Sequence, residues 1–114
     1  MSQQGYFTLP KNISFGVTAF SNAALTQTVN VLVDGKSVAT FSGSGTGDHL
    51  LGTKTLNSGS GNVQISVSAN GKPSDVVSSQ VLLGNAVNFG LLGSEDSTDK
   101  DYNDAVAILN WPLN

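Results

Sequence analysis

No cysteine occurs among the 114 residues, so neither a disulfide framework nor a thiolate metal site is available to this chain. Arginine is also missing: the five basic residues are all lysine, set against eight acidic ones for a net charge of −3. A surface of that sign, without the guanidinium fork that grips phosphate, argues against a nucleic-acid partner. No apolar run approaches the roughly 20 residues of a membrane span, so no membrane insertion is expected. The amino end, Met1-Ser2-Gln3-Gln4-Gly5, lacks the basic and apolar segments of a secretory leader. That predicts synthesis as a cytoplasmic product, with later release to the cell surface or extracellular space left open. No second domain or internal repeat is visible, and residues 1–114 read as one domain able to bury a core without covalent staples.

Helical periodicity is missing too, and what is present is the period-two alternation of half-buried strands. Ile13 to Ala19 alternates apolar with small or polar residues, as do Val29-Val31-Val33 and Val63-Ile65-Val67-Ala69. Asp34-Gly35 offers the positive φ angles of a tight hairpin and predicts a return strand over 37–41, and Asn70-Gly71 ends the next strand. Val76 to Leu83 and Ala86 to Leu92 read as strands broken at Gly84-Asn85. Ala105 to Trp111 is apolar on both sides, which places it centrally or in an interface. The glycine- and serine-rich segments 42–47 and 57–61 read as surface loops between neighbouring strands. Short strands with regular turn signals predict an all-β, antiparallel Greek-key sandwich of about nine strands.

Charge is scarce but concentrated. Glu95, Asp96, Asp99, Asp101 and Asp104 are five of the eight acidic residues, and they fall within ten positions. Holding so many carboxylates in one folded loop raises pKa values unless a cation lies between them. Asp99, Asp101 and Asn103 are hard oxygen ligands of the kind calcium collects six to eight at a time. The pattern Asp-x-Asp-x-Asn begins like an EF-hand loop, but the sixth position is Asp104 instead of glycine and the twelfth is Asn110 instead of glutamate. A solvated acidic turn is the plainer reading, although dispersed charges would serve solubility equally well. Paired carboxylates also serve glycoside hydrolysis, but so dense a cluster suits ligation better than two groups with separated pKa values. His49, the single histidine, has no partner assignable from sequence and reads as a solvated loop residue.

The segments Ser94-Glu95-Asp96, Thr98-Asp99, Asp101-Tyr102-Asn103-Asp104 and Asn110-Trp111-Pro112-Leu113 resemble the two-calcium bacterial lectins that bind fucose and mannose, the LecB (PA-IIL) type. So do Phe7-Thr8-Leu9-Pro10, Phe15-Gly16-Val17-Thr18, Leu56-Asn57-Ser58-Gly59 and Asn70-Gly71-Lys72-Pro73-Ser74-Asp75, so the likeness runs the length of the chain. The resemblance implies a nine-stranded antiparallel sandwich without catalysis. It implies two calcium ions held by Asn22, Glu95, Asp99, Asp101, Asn103 and Asp104, with the terminal carboxylate of Asn114 contributed by a neighbouring subunit. Sugar hydroxyls then complete both coordination shells. Four side-chain carboxylates and one terminal carboxylate against two divalent ions would leave the site near neutral, so that neutral hydroxyls compete with water.

The same resemblance assigns sugar contacts to Ala23, Ala24, Leu25, Thr46, Asp96, Asp99 and Asn114. Ala23, where a serine accompanies fucose preference, tilts the expectation to mannose-configured sugars, while Thr46 matches a contact to the fucose methyl. A homo-oligomer is implied, dimeric through the C-terminus and tetrameric in full, which would present several glycan sites at once. Two departures bear on affinity: Asn114 and Ser97 stand where the family has glycine. The alternatives are a calcium-stiffened adhesion or scaffold module that ignores free sugar, and a carboxylate hydrolase that turns it over.

Overall fold

The computed structural model describes residues 3–84, 87–96 and 101–113. These form eight strands: β1 (Tyr6–Thr8), β2 (Ser14–Val33), β3 (Lys36–Asn57), β4 (Asn62–Ala69), β5 (Lys72–Pro73), β6 (Asp75–Leu83), β7 (Val87–Glu95) and β8 (Ala105–Leu113). Every ladder is antiparallel, in the order β1-β4-β2-β8-β7-β6, with β3 on β2 and β5 on β4. Among the described residues no helix is long and apolar enough to cross a membrane.

The long strand β2 explains how one hairpin serves both halves of a sandwich. Its first part, Ser14 to Ser21, pairs with β8, whereas Gln27 to Val33 pairs with β4. Register shifts at Ala19/Phe20, Ser21/Ala23 and Ala23/Gln27 let the β2–β3 hairpin bend between these halves, as bulges do. Counting β2 and β3 once each gives eight strands against the nine expected. Two sequence expectations are corrected here. Segment 42–47 is not a free loop but lies within β3, because the bulged ladder to β2 takes in Ser42, Gly43 and Gly45. His49 likewise stands on a strand, opposite Ser21. The strand expected to start at Ala86 is described from Val87 and runs on to Glu95, since Ala86 lies outside the described residues.

Both dipeptide turns take the form their chemistry requires. Asp34 and Gly35 have φ of 52° and 81°, and Asn70 and Gly71 have 48° and 83°, so each closes a two-residue hairpin. The core lies between the halves: Phe15, Val17 and Ala19 of β2 with Ala105, Ala107, Leu109 and Trp111 of β8 meet Val29, Val31, Val63, Ile65 and Phe41. Burying a large apolar side chain of this set contributes about 1.5–3 kcal/mol. Along β2 the inward positions are odd-numbered, and two of them are polar: Ser21 and Gln27, flanking the bend.

Candidate metal centre

The acidic loop is the connection from β7 to β8, and local hydrogen bonds close its base. Ser94 is fully buried; its Oγ donates to the carbonyl of Ala105 (3.2 Å) and accepts from the Ala105 amide (3.0 Å). The Asp104 amide donates to the Ser94 carbonyl at 3.0 Å. This clamp brings Glu95, the last residue of β7, beside Asp104, the residue before β8. One carboxylate oxygen from each of Glu95, Asp101 and Asp104 then lies within 4.8 Å of the others. Glu95 and Asp104 are buried, and Asp101 is exposed.

Backbone groups take part of the load. The Tyr102 amide donates to Glu95 Oε1 at 3.2 Å, and the Asp96 amide donates to Asp104 Oδ2 at 2.9 Å. These bonds do not remove the repulsion. Burial first, then the neighbouring Asp96 and Glu95, push the Asp104 carboxyl from its ordinary 3.8 up to about 6, against the opposing bond from the Asp96 amide. The carboxyl of Asp101 is raised chiefly by its contact with Glu95. Asn103 carries one terminal atom of its amide 3.1 Å from both oxygens of Asp101. As nitrogen that atom donates to the carboxylate; as oxygen it forms a repulsive contact that a cation between the groups turns into a ligand pair. The donor set is all oxygen, hard and anionic, and fits calcium.

The bent middle of the β2–β3 hairpin converges on the same end. The Asn22 amide donates to the Asp104 carbonyl at 2.9 Å. The Asn22 side chain is engaged elsewhere: its Nδ2 donates to Asp48 Oδ1 (2.7 Å) and its Oδ1 accepts the Asp48 amide (2.6 Å). Ala23 pairs with Gly45, next to Thr46, and Ser21 Oγ donates to the Gly45 carbonyl at 3.0 Å. A cavity of about 260 Å³ is bordered by both Leu25 and Asp96. Asn22, Ala23, Leu25, Thr46, Glu95, Asp96, Asp101, Asn103 and Asp104 thus gather at one edge, and Ala24 is exposed there between its neighbours. Asp99, Ser97 and Asn114 lie outside the described residues. A larger cavity, about 420 Å³, sits on the hydroxyl-lined face of Thr28, Asn30, Ser37 and Thr40 and contains no carboxylate.

Sequence reading alone missed Asp48, which holds Asn22, and Gln27, whose amide nitrogen donates to both the Leu25 carbonyl and Asp96 Oδ2. The clue for Gln27 was present: a polar residue in phase with Val29, Val31 and Val33. Gly93 was missed as well. A Cβ there would overlap the carbonyl oxygen of Tyr102, a residue held at a φ of 52°. Gly93→Ala is therefore expected to push the acidic loop off β7 and lower calcium affinity about tenfold or more, read by equilibrium dialysis. Unchanged calcium affinity would show that this close approach does not position the ligands.

Comparison with known proteins bears on the family and the fold. Residues 7–113 match the family described as fucose-binding lectin II (PA-IIL). A high-affinity mannose-binding lectin from Ralstonia solanacearum is 65% identical over 99% of this chain and 100% of its own, with a TM-score of 0.97. The Chromobacterium violaceum lectin CV2L, solved with α-methyl-fucoside, is 58% identical over 99% and 100%, with a TM-score of 0.96. The C-terminal domain of the Burkholderia cenocepacia lectin BC2L-C is 49% identical over the full length of both, with a TM-score of 0.91. A comparison with curated proteins gives no match.

Proposed function

The chain belongs to the fucose-binding lectin II (PA-IIL) family, and on that premise we propose that it binds mannose- and fucose-type monosaccharides through two adjacent calcium ions. Lectins of this family are calcium-dependent carbohydrate-binding proteins, not enzymes. The observation that carries the reading is the convergence of Glu95, Asp101 and Asp104 within 4.8 Å. Glu95, Asp99, Asp101, Asn103 and Asp104 hold the cations, and calcium bound there supplies open positions for neighbouring sugar hydroxyls. Asn22 contributes through its main-chain carbonyl, because its side chain is committed to Asp48. Asp96 accepts a hydrogen bond from a sugar hydroxyl, and Ala23, Ala24, Leu25 and Thr46 form the rim. With Ala23 at the first rim position, mannosides bind more tightly than fucosides, and both bind.

The oligomer belongs to the same reading, with residues 1–114 as one lectin domain. Val77, Leu91 and Val87 are exposed on the outer face of β6 and β7, beside Ile108 and Val106 of β8. An exposed apolar face of this extent supports a subunit interface. It adjoins the strand that leads to Asn114, whose carboxylate would then reach the partner's site. Leu91→Lys is expected to shift the protein to smaller species in equilibrium sedimentation; an unchanged mass would move the interface elsewhere.

Calorimetric titration with α-methyl mannoside and α-methyl fucoside tests the function. Binding heat is expected with calcium present and none after chelation. Calcium-dependent melting without any sugar heat would favour the scaffold module, and release of reducing sugar would favour a hydrolase.

A further inference from the structure

Gln27 occupies an inward position on β2, fully buried, in line with three core valines. An apolar side chain would satisfy that position at least as well. Instead an amide is held there, its Oε1 buried without a hydrogen-bond partner among the described residues. A buried acceptor left unpaired is destabilising, and such an exception calls for a role other than packing. The nitrogen supplies one. Gln27 Nε2 donates to the Leu25 carbonyl at 3.2 Å and to Asp96 Oδ2 at 3.2 Å, using both of its N–H groups. The reverse orientation is excluded, since it would turn the amide oxygen toward a carbonyl and a carboxylate. Those two acceptors belong to separate parts of the candidate sugar rim, one on the bend of β2 and the other just beyond β7.

Resting on the lectin reading above, we propose that Gln27 is the positioning residue that sets the sugar-accepting carboxylate of Asp96 and the Ala23–Leu25 segment in one frame, and thereby sets the preference between mannosides and fucosides. It touches neither the cations nor the sugar. It fixes how the Asp96 carboxylate is turned and how far Leu25 stands from it. A shift of either acceptor changes the fit of the two sugars unequally, because they present different substituents to the rim.

The test is Gln27→Met, close in length and shape but without the donor, compared with the wild-type protein at saturating calcium. Melting temperature at or above that of wild type and an unchanged calcium-to-protein ratio are expected. Affinity for α-methyl mannoside is expected to fall about tenfold, and the mannoside-to-fucoside affinity ratio to change by about threefold or more. Loss of stability alone would not move that ratio. Should the variant fail to fold, the side-chain amide of Gln27 in the ¹⁵N-labelled wild type gives the answer: its resonances are expected to shift on addition of either sugar, and by different amounts. Sugar binding and selectivity unchanged in Gln27→Met, or Gln27 resonances that ignore sugar, overturn the proposal. Binding by both proteins with the same ratio overturns this inference alone; binding by neither overturns the lectin reading together with it.

Discussion

Asp104→Asn is expected to abolish detectable sugar binding while leaving the fold intact. Asparagine retains an oxygen to accept the Asp96 amide, now 2.9 Å from Asp104 Oδ2, and the main-chain bonds to Ser94 and Asn22 do not depend on the side chain. What is lost is a buried negative charge at the meeting point of the carboxylate cluster. Sugar affinity should drop at least about 100-fold, beyond the 10–100-fold typical when a group only supports a metal ligand. Without calcium the same change should stabilise, or leave unaltered, the folded state, because burial and the repulsion from Asp96 and Glu95 disappear with the charge. With calcium the order reverses. At a concentration 1,000 times Kd a cation bound only by the folded state adds about 4 kcal/mol, which the variant forgoes. Melting curves with and without chelator should therefore cross between the two proteins. An Asp104→Asn protein that keeps its calcium content and its sugar affinity would remove this residue from the site.

The second large effect is on pH. In the metal-free protein Asp104 releases its proton near pH 6, so below that value calcium must displace a proton to bind. Apparent calcium affinity should fall about tenfold for each pH unit below 6 for this one proton, and more steeply as Asp101, also raised, protonates. Stability of the metal-free fold moves the other way. Between 3.8 and about 6 the folded chain holds more protons at Asp104 than the unfolded chain does. Its contribution to stability is full below that window and is lost as pH rises through 6. Acidification should thus raise the melting temperature in chelator while lowering it in calcium, a sign difference that differential scanning calorimetry resolves. Parallel trends in both buffers would mean that Asp104 is not the proton-linked ligand.

Much of the fold could be read in advance because it depends on local chemistry. Asp34-Gly35 and Asn70-Gly71 announce hairpins since few other residues accept positive φ at both positions. The alternation in β2, β4 and β8 marks the core because each strand buries one face. The acidic loop stands out for the same kind of reason: charge that is rare elsewhere is crowded there, which raises carboxyl pKa values unless a cation lies between the groups. What escaped reading is non-local. The bend in the β2–β3 hairpin comes from register shifts that break periodicity, so segment 42–47 looks like a loop although it lies in a strand. The pairing of Asn22 with Asp48 spans two elements, and only the fold reveals that it takes up both polar atoms of the Asn22 side chain. Gln27 and Gly93 matter through what lies across the sheet from them, which spacing along the chain does not encode.

The most direct measurement is a crystal structure grown with excess calcium and α-methyl mannoside, with anomalous scattering used to identify the cations. Two calcium ions are predicted among Glu95, Asp101, Asn103 and Asp104, with hydroxyls of the mannoside bound directly to both. Water alone among those side chains, or calcium with the sugar bound elsewhere, would contradict the account.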